Sequence, residues 1–232
     1  MTIALTFSLI ITILLGFIHF WNERLVLIGK IRRYAISFVA GTAVAYSFVF
    51  LLPDVSARAD HFGTSLYVIL LAGFVVVHIF EKASYQHYHD NTERWHFAHS
   101  AIHFWVLFTY YLVMGSILYA MALQDVIESA LFFVPLAFYA AIGVVSFEEV
   151  HHEVRFNLLF RWLLAGSAVL GVLLSALTAL GENYIYHFIF AFTVGGFFYI
   201  TMIDLIPSRD KGAPIFFILG SVAYTALILL VL

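Results

Sequence analysis

Charge is what this chain has least of. Only 11% of its 232 residues are Asp, Glu, Lys or Arg, against 63% hydrophobic. A soluble domain carries roughly 25% charge, so this sequence cannot clothe itself in a water-facing surface. Cysteine is absent, which excludes a disulfide framework and a thiolate metal site. The net charge of −3 gives no basic surface for nucleic acid. No G-x-S-x-G, P-loop or dinucleotide fingerprint occurs, and the one adjacent acid pair, Glu148 and Glu149, falls in a hydrated segment, so nothing marks the chain as an enzyme. The start has no basic n-region and no small-residue cleavage site, and it reads as a retained helix rather than a signal peptide.

What is present is a series of apolar stretches near the roughly 20 residues a membrane helix needs. Eight candidates fall at 3–20, 34–52, 64–80, 99–120, 130–147, 159–180, 184–206 and 213–232, joined by short loops, so residues 1–232 read as one all-α integral membrane domain. Alternate loops hold Arg24, Lys30, Arg32, Arg33, Lys82, Arg94, Arg155, Arg161, Arg209 and Lys211, while the opposite side receives only Arg58. Cytoplasmic loops collect Lys and Arg, so the expectation is a plasma or inner membrane protein with both termini outside the cytoplasm. Trp21, Tyr34, Trp95, Trp162 and Tyr184 sit near span ends, where amphipathic rings favour the headgroups.

Two of these stretches repeat each other. Residues 40–54, AGTAVAYSFVFLLPD, return 154 positions later as VGGFFYITMIDLIPS, with Gly41/Gly195, Ser47/Thr201, Leu51/Leu205, Leu52/Ile206 and Pro53/Pro207 in register. Each copy reads as a helix opening on small residues and stopped by proline, which lacks the N–H to continue. The second copy lies five spans on, so the two run in opposite directions. That pattern predicts an inverted repeat relating spans 1–3 to spans 6–8, a common construction of membrane transporters.

Ionisable residues at or inside spans are candidates for function. His78 and Glu81 share a face at the end of the third span; His96, His99 and His103 form a stripe entering the fourth; Asp204 precedes Pro207 in the seventh. Imidazole with carboxylate suits zinc or another first-row divalent ion. The run EEVHHE (148–153) also reads as a wet helix end offsetting Arg155 and Arg161, His87 and His89 as solvated loop residues, and His19 and His187 as histidines bonded to a neighbouring backbone group or hydroxyl.

With these features the chain resembles the ZIP (Zrt/Irt-like) family of divalent metal transporters over essentially all eight spans. The likeness rests most on AGTAVAYSFVFLLPD and AFTVGGFFYITMIDLIP, with Glu81 ending span three and His87 and His89 in the following loop. It implies the eight-helix inverted-repeat fold, a homodimer or larger membrane complex, and Zn2+ or another divalent cation as substrate. The family's mid-membrane ligand motifs are mostly replaced. Following His103, Phe104 and Leu107 stand at two ligand positions of span four; Phe132 and Leu136 stand at two of span five, around Pro135; and Phe50 stands where many members have histidine. His103 and Phe132 are 29 positions apart, close to the family spacing. Phe104, Leu107, Phe132 and Leu136 are therefore expected to pack together as a dry plug. Three readings stay open: transport with ligands moved to His78, Glu81, His96, His99, His103 and Asp204; a ZIP-like structural or regulatory subunit without metal transport; and a haem protein using His78 and His103.

Overall fold

The computed structural model describes residues 2–21, 29–87, 93–142, 158–208 and 212–232, and all regular structure among them is helical. The helices are α1 (Thr2–Trp21), α2 (Gly29–Tyr46), α3 (Leu52–Phe62), α4 (Ser65–His87), α5 (Glu93–Gln124), α6 (Val126–Ile142), α7 (Leu158–Thr178), α8 (Ile185–Tyr199) and α9 (Pro214–Val231). Seven helical stretches are long and apolar enough to cross a membrane, and α6 is a shorter apolar helix. Outward residues such as Ile3, Leu71, Leu177 and Leu230 are exposed. This suits a multi-pass membrane protein, because lipid tails solvate apolar side chains while every backbone group must bond within its own helix.

The connections at Gly63–Thr64, Asp125 and Ala179–Tyr184 lie at one end of the bundle, here the turn end; Arg33 and Arg161 lie at the other, the basic end. There Arg161 donates to the Phe20 carbonyl at 2.6 Å, and Arg33 donates to the Gly212 carbonyl. The first closes an orphan carbonyl at the end of α1, as cations near helix C-termini do.

Parallel helices carry the closest packing, in the pairs α2/α9, α4/α8 and α5/α7. Each pair crosses at two glycines. A Cβ on Gly41 would run into the Phe217 carbonyl and one on Gly220 into the Phe38 carbonyl; Gly195 likewise meets Leu70, Gly73 meets Phe192, Gly115 meets Ala168 and Gly171 meets Leu112. Small residues let backbones approach, which matters in lipid because no hydrophobic force draws one helix to another. Hydroxyls reinforce two crossings: Ser221 donates to the Gly41 carbonyl at 3.1 Å and Ser116 to the Gly171 carbonyl at 3.0 Å.

Both repeated segments pass through a π-helical turn at matching positions, Ser47–Leu51 and Ile200–Leu205. Beyond it the prolines act differently. Pro207 ends its helix as expected: Ile206 just before it is extended (φ −70°, ψ 117°), the conformation proline imposes on its predecessor. Pro53 does not, and the helix runs on as α3 to Phe62. The π turn pairs the Leu52 N–H with the Ser47 carbonyl, and Pro53 then occupies the first turn of a new α-helical segment, where a missing N–H is tolerated.

The centre of the bundle is aromatic. Tyr46, wholly buried, stacks on Phe50 and Phe132 and meets Phe197 and Tyr224 edge-on; Tyr186 and Phe190 extend the cluster.

Candidate functional site

Polar side chains gather at both ends of this aromatic centre. At the basic end α4 and α8 run side by side through the crossing at Gly73 and Gly195, which brings the last turns of both to one place. His78 Nδ1 lies 3.2 Å from the Tyr199 hydroxyl. That hydroxyl and Asp204 each lie within side-chain hydrogen-bonding reach of Glu81. A hydrogen bond between two carboxyl groups needs a proton on one of them. The result is a chain, His78–Tyr199–Glu81–Asp204, spanning two helices. It is not a closed cage: among the described residues no group of three or more His, Asp or Glu side chains is arranged to hold a metal ion.

Three of the six sequence candidates, His78, Glu81 and Asp204, are thus brought together. His96, His99 and His103 lie on α5, but their side chains fall outside the described residues, as do His87, the loop residue His89 and the run 148–153. Tyr199 was not a sequence candidate. Its signal was its place in the second repeat, five residues before Asp204 and on the π-turn face.

The expected dry plug divides. Phe132 and Leu136 lie in the main core, Phe132 against Tyr46 and Phe197, whereas Phe104 packs on Trp105 and Phe108 of its own helix and Leu107 is half-buried. The antiparallel register explains this. Ser129 donates to the Leu118 carbonyl at 2.7 Å, which sets Phe132 level with residue 115 and leaves Phe104 about 16 Å further along α5 at 1.5 Å per residue. Pro135 removes the N–H that would have bonded the Leu131 carbonyl, and the Tyr224 hydroxyl donates to that carbonyl instead. The oxygen released by the proline is therefore occupied by α9.

At the turn end Arg58 is the hub. Its Nε and Nη2 bond both oxygens of Asp54 at 3.0 Å, Nη1 meets His187 Nδ1 at 2.9 Å, and Nη2 reaches Gln124 Oε1 at 3.4 Å. The guanidinium lies over the rings of Phe190 (4.6 Å) and Tyr186 (5.3 Å). Glu128 adds a carboxylate close enough to act electrostatically on Asp54 and Arg58. Sequence reasoning left this cluster out, although Asp54 and Arg58 have helical i, i+4 spacing and Arg58 is the lone basic residue of its side. His19 lies 3.4 Å from the Tyr111 hydroxyl as a lone histidine was expected to; His187 departs from that expectation by meeting a guanidinium.

The chain matches no protein-family model, no curated protein and no solved structure.

Proposed function

We propose that this is a ZIP-type multi-pass membrane protein that handles a divalent, zinc-like cation at its basic end, with His78, Glu81 and Asp204 as the residues that engage it. The observation carrying this reading is the carboxyl contact between Glu81 and Asp204 across two helices, continued by Tyr199 to His78. A cation replacing the shared proton would draw both carboxylates and the imidazole inward, and those donor types suit zinc.

The inverted repeat belongs to the same proposal. Gly41 and Gly195 are 154 positions apart, and so are the Phe38 and Phe192 carbonyls that their partner glycines approach; Gly73 and Gly220 are 147 apart, and so are Leu70 and Phe217. The α2/α9 and α8/α4 crossings thus use equivalent positions while running in opposite directions. The excess of basic residues beside the His78 cluster supports a cytoplasmic location for that end, with both termini outside, and the resemblance supports a homodimer.

A second reading, a ZIP-like structural or regulatory subunit, is favoured by the aromatic centre, where Tyr46, Phe50, Phe132 and Phe197 offer no ligand set between the two polar ends. Elemental analysis of the purified protein, with zinc uptake into proteoliposomes, separates the two. Bound zinc and uptake lost in Asp204→Asn support the first; metal-free protein and no uptake by the wild type support the second.

A further inference from the structure

The turn-end cluster is independent of the cation reading and has a chemistry of its own. Four elements meet there: α3, the end of α5, the start of α6 and the start of α8. Arg58 of α3 reaches the others through Gln124 and His187, and the Phe62 ring lies 4.8 Å from the His187 ring.

A guanidinium has donors and no acceptor. In the 2.9 Å contact between Arg58 Nη1 and His187 Nδ1, the imidazole nitrogen therefore accepts, the ring hydrogen sits on Nε2, and the ring is neutral. Asp54 already accepts from Arg58 through both oxygens. The titratable and charged groups around the ring are Asp54, Arg58 and His61 from α3, Asp125 between α5 and α6, Glu128 from α6 and Tyr186 from α8, with Gln124 of α5 as a neutral neighbour of Arg58.

We propose that His187 is a proton-operated latch, closing α3 onto α8 when neutral and releasing it when protonated. A proton on Nδ1 turns the acceptor into a donor and sets two cations 2.9 Å apart. The Arg58–His187 bond is then lost, while Arg58 keeps Asp54 on its own helix. The hold of α3 on α8 falls to the Phe62 contacts with His187 and Phe188 and the cation–π contacts of Arg58.

The chain has no cysteine, so spin labels can be placed on Ala57→Cys of α3 and Tyr184→Cys before α8, both exposed. Their distance distribution is measured by pulsed electron paramagnetic resonance as pH falls from about 8 to about 5, the range in which histidine takes up a proton. The labelled chain should lose its single narrow distribution on acidification. With His187→Gln, whose amide oxygen accepts from Arg58 at every pH, the distribution should stay narrow throughout; His187→Asn serves if the Gln variant is not monodisperse. A distribution unchanged by pH in the chain retaining His187, or one that broadens equally in the Gln or Asn variant, overturns the latch.

Discussion

The two repeated segments have nearly the same backbone and opposite chemistry. Both cross a parallel partner at facing glycines and both open into a π turn. At the position three before proline the first carries Phe50, buried against Tyr46, and the second carries Asp204, in reach of Glu81. After proline the first continues as α3 and presents Asp54 and Arg58 to the turn end, whereas the second stops. Backbone geometry is thus fixed by small residues and proline, while single side chains decide whether a segment seals the bundle or supplies ligands.

Removing the shared element should have the largest effect. Gly41→Leu and Gly195→Leu each place a side chain inside a partner carbonyl, and overpacking of this kind costs upwards of about 3 kcal/mol. We expect loss of monodisperse protein on size-exclusion chromatography for both, with Gly166→Leu, which meets no neighbour within 4 Å, folding normally. A large loss in one copy alone would break the equivalence.

Exchanging the distinguishing residues comes next. Phe50→Asp buries a carboxylate among aromatic rings and should destabilise by about 3–5 kcal/mol, read as a fall in thermal midpoint in detergent. Asp204→Phe should leave that midpoint much closer to wild type. Similar losses in the two would mean that Asp204 is as structural as Phe50.

A smaller effect sits on the first copy's side. Tyr224→Phe leaves the Leu131 carbonyl unpaired and should cost about 1–3 kcal/mol. In a Pro135→Ala background residue 135 regains its N–H, and the Tyr224→Phe penalty should shrink. An unchanged penalty would dissociate Tyr224 from the proline. The second copy has no such lock, since Val77 of α4 stands where Tyr224 stands on α9.

The smallest change is expected from Pro53→Ala, within about 0.5 kcal/mol of wild type, because the helix already runs through that position. Pro207→Ala should raise helicity by circular dichroism, since it lifts the restraint on Ile206. Equal helicity changes in the two would contradict the difference described after proline.

Element positions were legible because spans in lipid must be long and apolar, and the period-independent run of such residues is hard to misread. The helices of the structure fall on the candidate stretches, with shifts such as 130–147 becoming Val126–Ile142. Pro53 misled because a sequence shows the missing N–H but not the π turn that accommodates it. The His78–Glu81–Asp204 gathering was half legible: helical spacing pairs His78 with Glu81, but only the Gly73/Gly195 crossing brings Asp204 alongside. Phe104 and Phe132 were grouped by the motif's spacing, and the turn at Asp125 places them at different depths. Arg58 entered as a topology marker; its folding inward onto His187 and Gln124 depends on contacts 129 and 66 residues away.

The most direct measurement is isothermal titration of the purified protein with zinc, comparing wild type with the Glu81→Gln, Asp204→Asn double variant. A cation site in the second copy's chemistry requires saturable heat in the wild type and its loss in a variant that stays folded. Identical heats from the two proteins, or no heat from the wild type, would contradict it.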